Sequence, residues 1–312
     1  MIKDIDSTVC AYISGFYDGE GCIQIHKKTL GLRTHIANTN LDILKRIKSV
    51  FKGEIYIKSE KSESYKQQWG WHIYNRIELN FLLETILQYS TVKKSQILDG
   101  LEFLEKTKSS MGKQLSYEER KYREYMYHKF KEPKHYLYTE EEIKWFDEQI
   151  KNTIQCQGKF DEFVYAYISG FFDAEGTIGA YEDKHNSLYL RTSISNTYPS
   201  ILIGMKKVFG GNVTLHIKSN LNRRQSWIWR IGDIDDMKFF LTKILSYSIV
   251  KKPQIELGLK FLETDNYQTK LLIANKLKEM KDVEYIDEEM CLLNYQIKEM
   301  NIDKFQHTME DY

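Results

Sequence analysis

Residues 11–23 read AYISGFYDGEGCI, and residues 166–178 read AYISGFFDAEGTI. Ten of the thirteen positions are identical at an offset of 155. Outward from this stretch the match resumes at an offset of 158. Leu32-Arg33-Thr34 returns as Leu190-Arg191-Thr192, Asn38-Thr39 as Asn196-Thr197, and Trp69-x-Trp71 as Trp227-x-Trp229. Val92-Lys93-Lys94-x-Gln96-Ile97 returns as Val250-Lys251-Lys252-x-Gln254-Ile255, and Gly100-Leu101-x-Phe103-Leu104 as Gly258-Leu259-x-Phe261-Leu262. Self-similarity at a fixed period marks a duplicated structural unit. The chain is a tandem duplication of a unit of about 95 residues.

Each unit reads as α-β-β-α-β-β-α, an α+β pattern. Residues 7–18 form a small-residue helix, and Gly21 is expected to end it in the left-handed conformation open to glycine. Ile23 and Ile25 alternate with Gln24 and His26, as in a strand with one buried face. Residues 33–37 form its hairpin partner, 41–51 an amphipathic helix, and 54–58 and 67–76 two more strands; 78–88 and 95–104 are helical. The organisation predicted is a first unit at 1–105, a helical connector at 106–160, a second unit at 161–262 and an acidic helical extension at 263–312.

The length of 312 residues suits two domains of ordinary size. A hydrophobic fraction of 42% supports real cores and excludes a disordered chain. No run approaches 18 apolar residues, so no membrane-spanning helix is expected, and the first residues suggest neither signal nor transit peptide. Cys10, Cys22, Cys156 and Cys291 are widely spaced, with no CxxC pair, so neither a zinc site nor a disulfide framework is expected. A reducing intracellular compartment follows. Lys outnumbers Arg 36 to 9, the skew an AT-rich genome would write.

The repeated helix carries the chemistry. Gly15 and Gly19 are four residues apart, as are Gly170 and Ala174. Small residues at that spacing let two helix backbones approach closely. If the two copies pack together, Glu20 and Glu175 meet at the negative ends of two helix dipoles. Carboxylates so placed repel unless a cation sits between them, and hard oxygen ligands select Mg²⁺-type ions. Such a site suits metal-assisted hydrolysis of a phosphodiester. A glutamate after a helix is ordinarily a solvated residue. Here it recurs in both copies, while Tyr17/Phe172 and Gly19/Ala174 differ. Asp18 and Asp173 are expected to bond backbone near the helix end instead.

These two motifs resemble the LAGLIDADG motif of the homing endonucleases in its single-chain, two-motif form, over roughly 200 residues. The resemblance implies a monomer folded as a pseudo-dimer about a pseudo-two-fold axis, each unit giving a four-stranded sheet to a DNA-binding saddle. It implies that Glu20 and Glu175 ligate divalent metal, with the Gly19 and Ala174 carbonyls assisting. Mg²⁺ is the expected ion, with Mn²⁺ substituting and Ca²⁺ supporting binding without cleavage. It assigns Asn38 and Asn196 to the attacking water's network and Lys93 and Lys251 to the scissile phosphate, where a cation stabilises developing charge. Lys94 and Lys252 are the alternative members of each doublet, and Gln96 and Gln254 flank them. An organelle, chloroplast or mitochondrion, is the setting that the resemblance suggests.

Strand parity then assigns faces. Ile23, Ile25, Ile55, Ile57, Trp69, Trp71 and Ile73 turn toward the helices. The opposite face shows Gln24, His26, Lys28, Arg33, His35, Tyr56, Lys58, Lys66, Gln68, His72 and Tyr74. In the second unit Val213, Leu215, Ile217, Trp227 and Trp229 turn inward. Tyr181, Arg191, Ser193, Thr214, His216, Lys218, Arg224, Ser226 and Arg230 turn outward. Such side chains can pair with base edges in a major groove, though a polar sheet face is also common without that role. The copies differ most here: Gln24 becomes Gly179, His35 becomes Ser193 and His72 becomes Arg230. An asymmetric target follows. Strands of about 10 residues at roughly 3.3 Å each suggest about 20 base pairs in all.

The net charge of +1 conceals segregation. Residues 21–76 hold 11 Lys+Arg against 4 Asp+Glu, and residues 177–230 hold 8 against 2. Residues 263–312 hold 12 acids against 6 lysines. The reading favoured is a site-specific endonuclease of double-stranded DNA. The alternatives are an intron-splicing maturase of the same fold acting on intron RNA, and a DNA-binding protein that no longer cleaves.

Overall fold

The computed structural model describes residues 5–62, 66–107, 115–131, 138–156, 159–217 and 225–280. The elements run α1 (Ser7–Glu20), β1 (Cys22–Ile25), β2 (Leu32–Asn38), α2 (Leu41–Phe51), β3 (Glu54–Ser59), β4 (Gln68–Ile73), α3 (Arg76–Leu87) and α4 (Lys94–Lys106). After α5 (Tyr117–Lys129) and α6 (Glu140–Asn152) the order repeats. It continues as α7 (Glu162–Glu175), β5 (Gly176–Glu182), β6 (Leu188–Asn196), α8 (Pro199–Phe209), β7 (Asn212–Ile217), β8 (Ser226–Ile231), α9 (Ile234–Leu245), α10 (Lys252–Glu263) and α11 (Tyr267–Glu279). The strands form two four-stranded antiparallel sheets with orders β1-β2-β4-β3 and β5-β6-β8-β7.

Helices cover one face of each sheet. Trp71, Trp227 and Trp229 are fully buried beneath them, with Ile23, Ile25, Ile73 and Val213 beside them. Burying such side chains is worth roughly 1.5–3 kcal/mol each, which fixes strand parity. Strand lengths of four to nine residues fall short of the ten expected. Arg76, expected to close a strand, instead opens α3, because Asn75 accepts from the Ile77 and Glu78 amides and caps the helix there.

The seam between the units is α1 against α7. An added Cβ on Gly15 would lie 1.9 Å from the Tyr167 carbonyl oxygen, and one on Gly170 would lie 1.9 Å from that of Tyr12. Nothing larger than hydrogen fits at either position. Gly21 departs from expectation: its φ of −69° is extended, not left-handed. A Cβ there would meet the Tyr17 ring at 2.6 Å, so close approach, not backbone freedom, requires glycine.

The repeat extends further than the sequence match. In the first unit α5 packs on β1, and in the second α11 packs on β5. Arg123 stacks over Phe103 at 5.5 Å, and Lys270 over Phe261 at 5.4 Å. Phe103 and Phe261 are repeat equivalents, so α5 and α11 occupy corresponding positions. Each then leads toward the other unit. Tyr138 beyond α5 donates to the Thr197 carbonyl at 3.1 Å and packs edge-on against Trp227. The Met280 carbonyl at the end of α11 accepts from Lys66 at 3.1 Å. The predicted tail beyond residue 280, with Cys291, lies outside the described residues.

Candidate metal and nucleic-acid site

Glu20 and Glu175 are the last residues of α1 and α7. Because α1 and α7 pack along their length, these two ends come together. A Cβ built on Gly19 would stand 3.1 Å from Glu175 Cγ and 2.3 Å from the Ala174 Cβ. Burial pushes both glutamate pKa values up, and the Glu175 charge pushes that of Glu20 up further. Asn38 closes β2 and donates through Nδ2 to Glu20 Oε1 at 3.4 Å. Its oxygen accepts from the Asn40 amide, which fixes the carboxamide's orientation. Asn196 closes β6, accepts from the Tyr198 amide at 2.8 Å and lines the same cavity as Glu175.

Lys93 and Lys251 are the N-cap residues of α4 and α10. Lys93 Nζ donates to the carbonyls of Asp18 and, at 3.2 Å, Gly19. Lys251 Nζ donates to the Asp173 carbonyl. Lys94 and Lys252 point to solvent. Burial lowers the pKa of each inner lysine, while the nearby carboxylates oppose that shift. Lys93, Gln96, Glu175 and Asn196 line one cavity of about 690 Å³. Gln254, the counterpart of Gln96, keeps its side-chain oxygen buried without a partner.

Asp18 and Asp173 were expected to bond backbone near their own helix ends. They reach much further. Asp18 accepts from the Ser90 hydroxyl at 2.5 Å and from the Thr91, Val92 and Lys93 amides at 2.7, 2.9 and 3.0 Å. Asp173 does the same for Ser248, Ile249, Val250 and Lys251. Neither α4 nor α10 has a side-chain cap of its own. The aspartates supply that function from another helix, satisfying orphan amides. They thereby hold the turns that carry the two lysines.

The donor set fits a hard cation. Among the described residues no group of three or more His, Cys, Asp and Glu could hold a metal. The protein offers two convergent carboxylates and nearby carbonyls. A hard cation held there would take its remaining ligands from water and phosphate oxygens. The Gly19 carbonyl, expected as a ligand, already receives Lys93, and its second lone pair stays available.

The open sheet faces carry most, not all, of the expected readers. Gln24, Arg33, His35 and His72 share one face by register. With its amide turned so that the oxygen faces these donors, Gln24 accepts from Arg33 Nε and Nη2 at 3.2 Å each and from His35 at 3.1 Å. His72 lies between the tilted rings of Tyr56 and Tyr74, with centroids at 4.9 and 4.1 Å, and bonds Glu54 at 3.3 Å. Glu54 was not anticipated on this face. Lys28 and Lys58 are exposed; His26 and Gln68 are half-buried. Lys66 is partly taken up by Met280.

In the second unit Arg191 stacks over Tyr181 at 4.7 Å and Tyr189 at 5.5 Å and bonds the Tyr189 hydroxyl at 2.9 Å. Thr214 and His216 are exposed. Ser193 and Ser226 keep the outward parity read from the sequence but are buried. Ser193 faces Thr177 at 2.9 Å, and neighbouring Ile228 is buried on the same side. Arg230 is half-buried, with Nε lacking a partner. Ile57, expected inward, keeps that parity by pairing with Trp69 yet is exposed; the shift in β3 pairing comes after it, between Ile57 and Ser59. Lys218, Arg224 and the Ile217 side chain lie outside the described residues.

Residues 7–87 match the model of a LAGLIDADG-like domain. No curated protein matches the chain in sequence. Among solved structures the chain aligns with the LAGLIDADG homing endonuclease I-GzeII in complex with DNA target. That match has a TM-score of 0.61 and 18% identity, covering 86% of this chain and 97% of the other. It also aligns with the LAGLIDADG meganuclease I-AabMI bound to uncleaved DNA, at 0.58 and 17%, covering 95% and 98%. A third is I-SmaMI bound to uncleaved DNA target in the presence of calcium ions, at 0.58 and 15%, covering 89% and 96%.

Proposed function

We propose that this chain, which has the single-chain two-unit LAGLIDADG homing endonuclease fold, is a site-specific endonuclease that makes a double-strand break in DNA. The observation that carries the reading is the meeting of Glu20 and Glu175 at the ends of two packed helices, each beside a lysine. Glu20 and Glu175 would hold Mg²⁺ or Mn²⁺, with the Gly19 and Ala174 carbonyls assisting. When bound, such a cation supplies Lewis-acid activation of water and charge neutralisation at the phosphate. The chain's own residues do the rest. Asn38 orients Glu20, and Asn196 does the corresponding work beside Glu175. Lys93 and Lys251 present ammonium groups to the charge that develops on the scissile phosphates.

The two sheets supply the reading surface, and the two arginines Arg33 and Arg191 are its most defined donors. β2 and β6, seven and nine residues long, span roughly 23 and 30 Å, or about 7 and 9 base steps. With the steps beneath the helix ends, a target of about 20 base pairs follows. The protein acts as a monomer with pseudo-two-fold symmetry, in an organelle.

Selection of cleaved sites from a randomised DNA library in Mg²⁺ tests this. A long asymmetric consensus is expected, with binding that falls steeply as salt rises. Failure to cut any member, with tight binding to intron RNA, would replace the nuclease by the maturase.

A further inference from the structure

Two buried phenols have no part in the chemistry above. Tyr12 and Tyr167 sit inside the α1–α7 seam, and each crosses it. Tyr167 donates to Asp18 Oδ2 at 2.6 Å, and Tyr12 donates to Asp173 Oδ2 at 2.7 Å. Phenylalanine would fill the same apolar space, so the hydroxyl is the distinguishing group. It lands on the aspartate that holds the lysine turn of the opposite unit.

The connections close on themselves. Tyr167 of the second unit fixes Asp18 of the first. Asp18 fixes the amides of Thr91, Val92 and Lys93. Lys93 then lines a cavity with Glu175 and Asn196, which belong to the unit that supplied Tyr167. The second set runs the other way, from Tyr12 through Asp173 to Lys251. Each lysine is thus held, at one remove, by the unit whose glutamate it serves.

We infer that Tyr12 and Tyr167 are positioning residues, each setting one lysine against the opposite unit's glutamate and so governing cleavage of one DNA strand independently of the other. The inference rests on the nuclease reading. It goes further by dividing the work of the two sites between two separate hydrogen-bond chains.

The test uses the full-length protein, a plasmid carrying the selected target, Mg²⁺ and separate labels on the two strands. Tyr167→Phe is expected to slow one defined strand about tenfold, the scale of one hydrogen bond to a charged group. The other strand changes less than about twofold, so nicked plasmid accumulates. Tyr12→Phe should produce nicks in the opposite strand. Binding in Ca²⁺ should be unchanged for both. Asp18→Asn provides a second variant: it should share the strand bias of Tyr167→Phe, and the double variant should be no more biased than the worse single. Equal slowing of both strands, or no slowing, would overturn the inference while leaving the nuclease reading intact. A wild-type protein that cuts nothing would overturn both.

Discussion

The seam and the two open sheet faces have opposite histories within one chain. Across α1 and α7 the copies share ten of thirteen residues, and the structure shows why. Gly15 and Gly170 touch the facing backbone, Tyr12 and Tyr167 cross to the facing aspartates, and the glutamates converge. A change on one side of the seam is felt by the other. On the sheet faces, among the described residues, the reading side chains bond within their own unit, apart from Lys66, which reaches the Met280 carbonyl. Arg33 and Arg191 are repeat equivalents, yet a glutamine amide holds the first and two tyrosine rings hold the second. Symmetry survives where the halves constrain each other and fades where each meets only an outside partner.

The sharpest way to break this comparison is at the seam's chemical end. Glu20→Gln or Glu175→Gln should reduce cleavage by about 10³-fold or more, with Ca²⁺-supported DNA binding retained. Full activity of either variant on the selected target would detach the seam from the chemistry. Next in size is the seam's packing. Gly15→Ala or Gly170→Ala should cost about 3 kcal/mol in urea unfolding. Gly204→Ala, on a helix with open space around it, should be neutral or stabilise by about 0.5–1 kcal/mol. Equal effects at the two kinds of site would deny the close approach.

On the faces, Arg191→Ala and Arg33→Ala should each relax base preference in one half of the target only, by about 1–3 kcal/mol. Library profiles of the two variants would reveal any spread to both halves. The smallest effect concerns pH. Burial raises the pKa of both glutamates, so the stability linked to their protonation is present at low pH and is lost as pH rises through the raised values. In EDTA the double variant Glu20→Gln/Glu175→Gln should therefore melt about 2–4 °C above wild type at neutral pH, with the gap closing on acidification. A gap that widens toward low pH would mean that the carboxylates are stabilised as anions.

The fold was legible because duplication writes each element twice, and strand parity is spelled by Ile23, Ile25, Trp71 and their counterparts. The meeting of Glu20 with Glu175 followed from the small-residue spacing. What escaped the sequence had no local signature. Asp18 caps a helix that begins more than 70 residues later, and no neighbouring residue announces it. Tyr12 and Tyr167 drew no separate reading from the sequence, although a tyrosine six residues before an aspartate in both copies was a usable signal. The equivalence of α5 and α11 was hidden because only their packing repeats. Ser193 and Ser226 obey outward parity but are buried, and parity does not know what covers a face. Ile57 keeps inward parity opposite Trp69 and is exposed all the same.

The borrowed caps on α4 and α10 bear on how the chain comes off the ribosome. The first unit emerges carrying Glu20, Asp18 and Lys93, which are the makings of a cutting centre. Until α7 is synthesised and docked it lacks Tyr167 to steady Asp18 and Glu175 to complete the pair. On the nuclease reading, a nascent or truncated half lacks the paired carboxylates and is expected not to cut the genome that encodes it. The order of synthesis would then guard the genome, because the two carboxylates meet only when the second copy closes on the first.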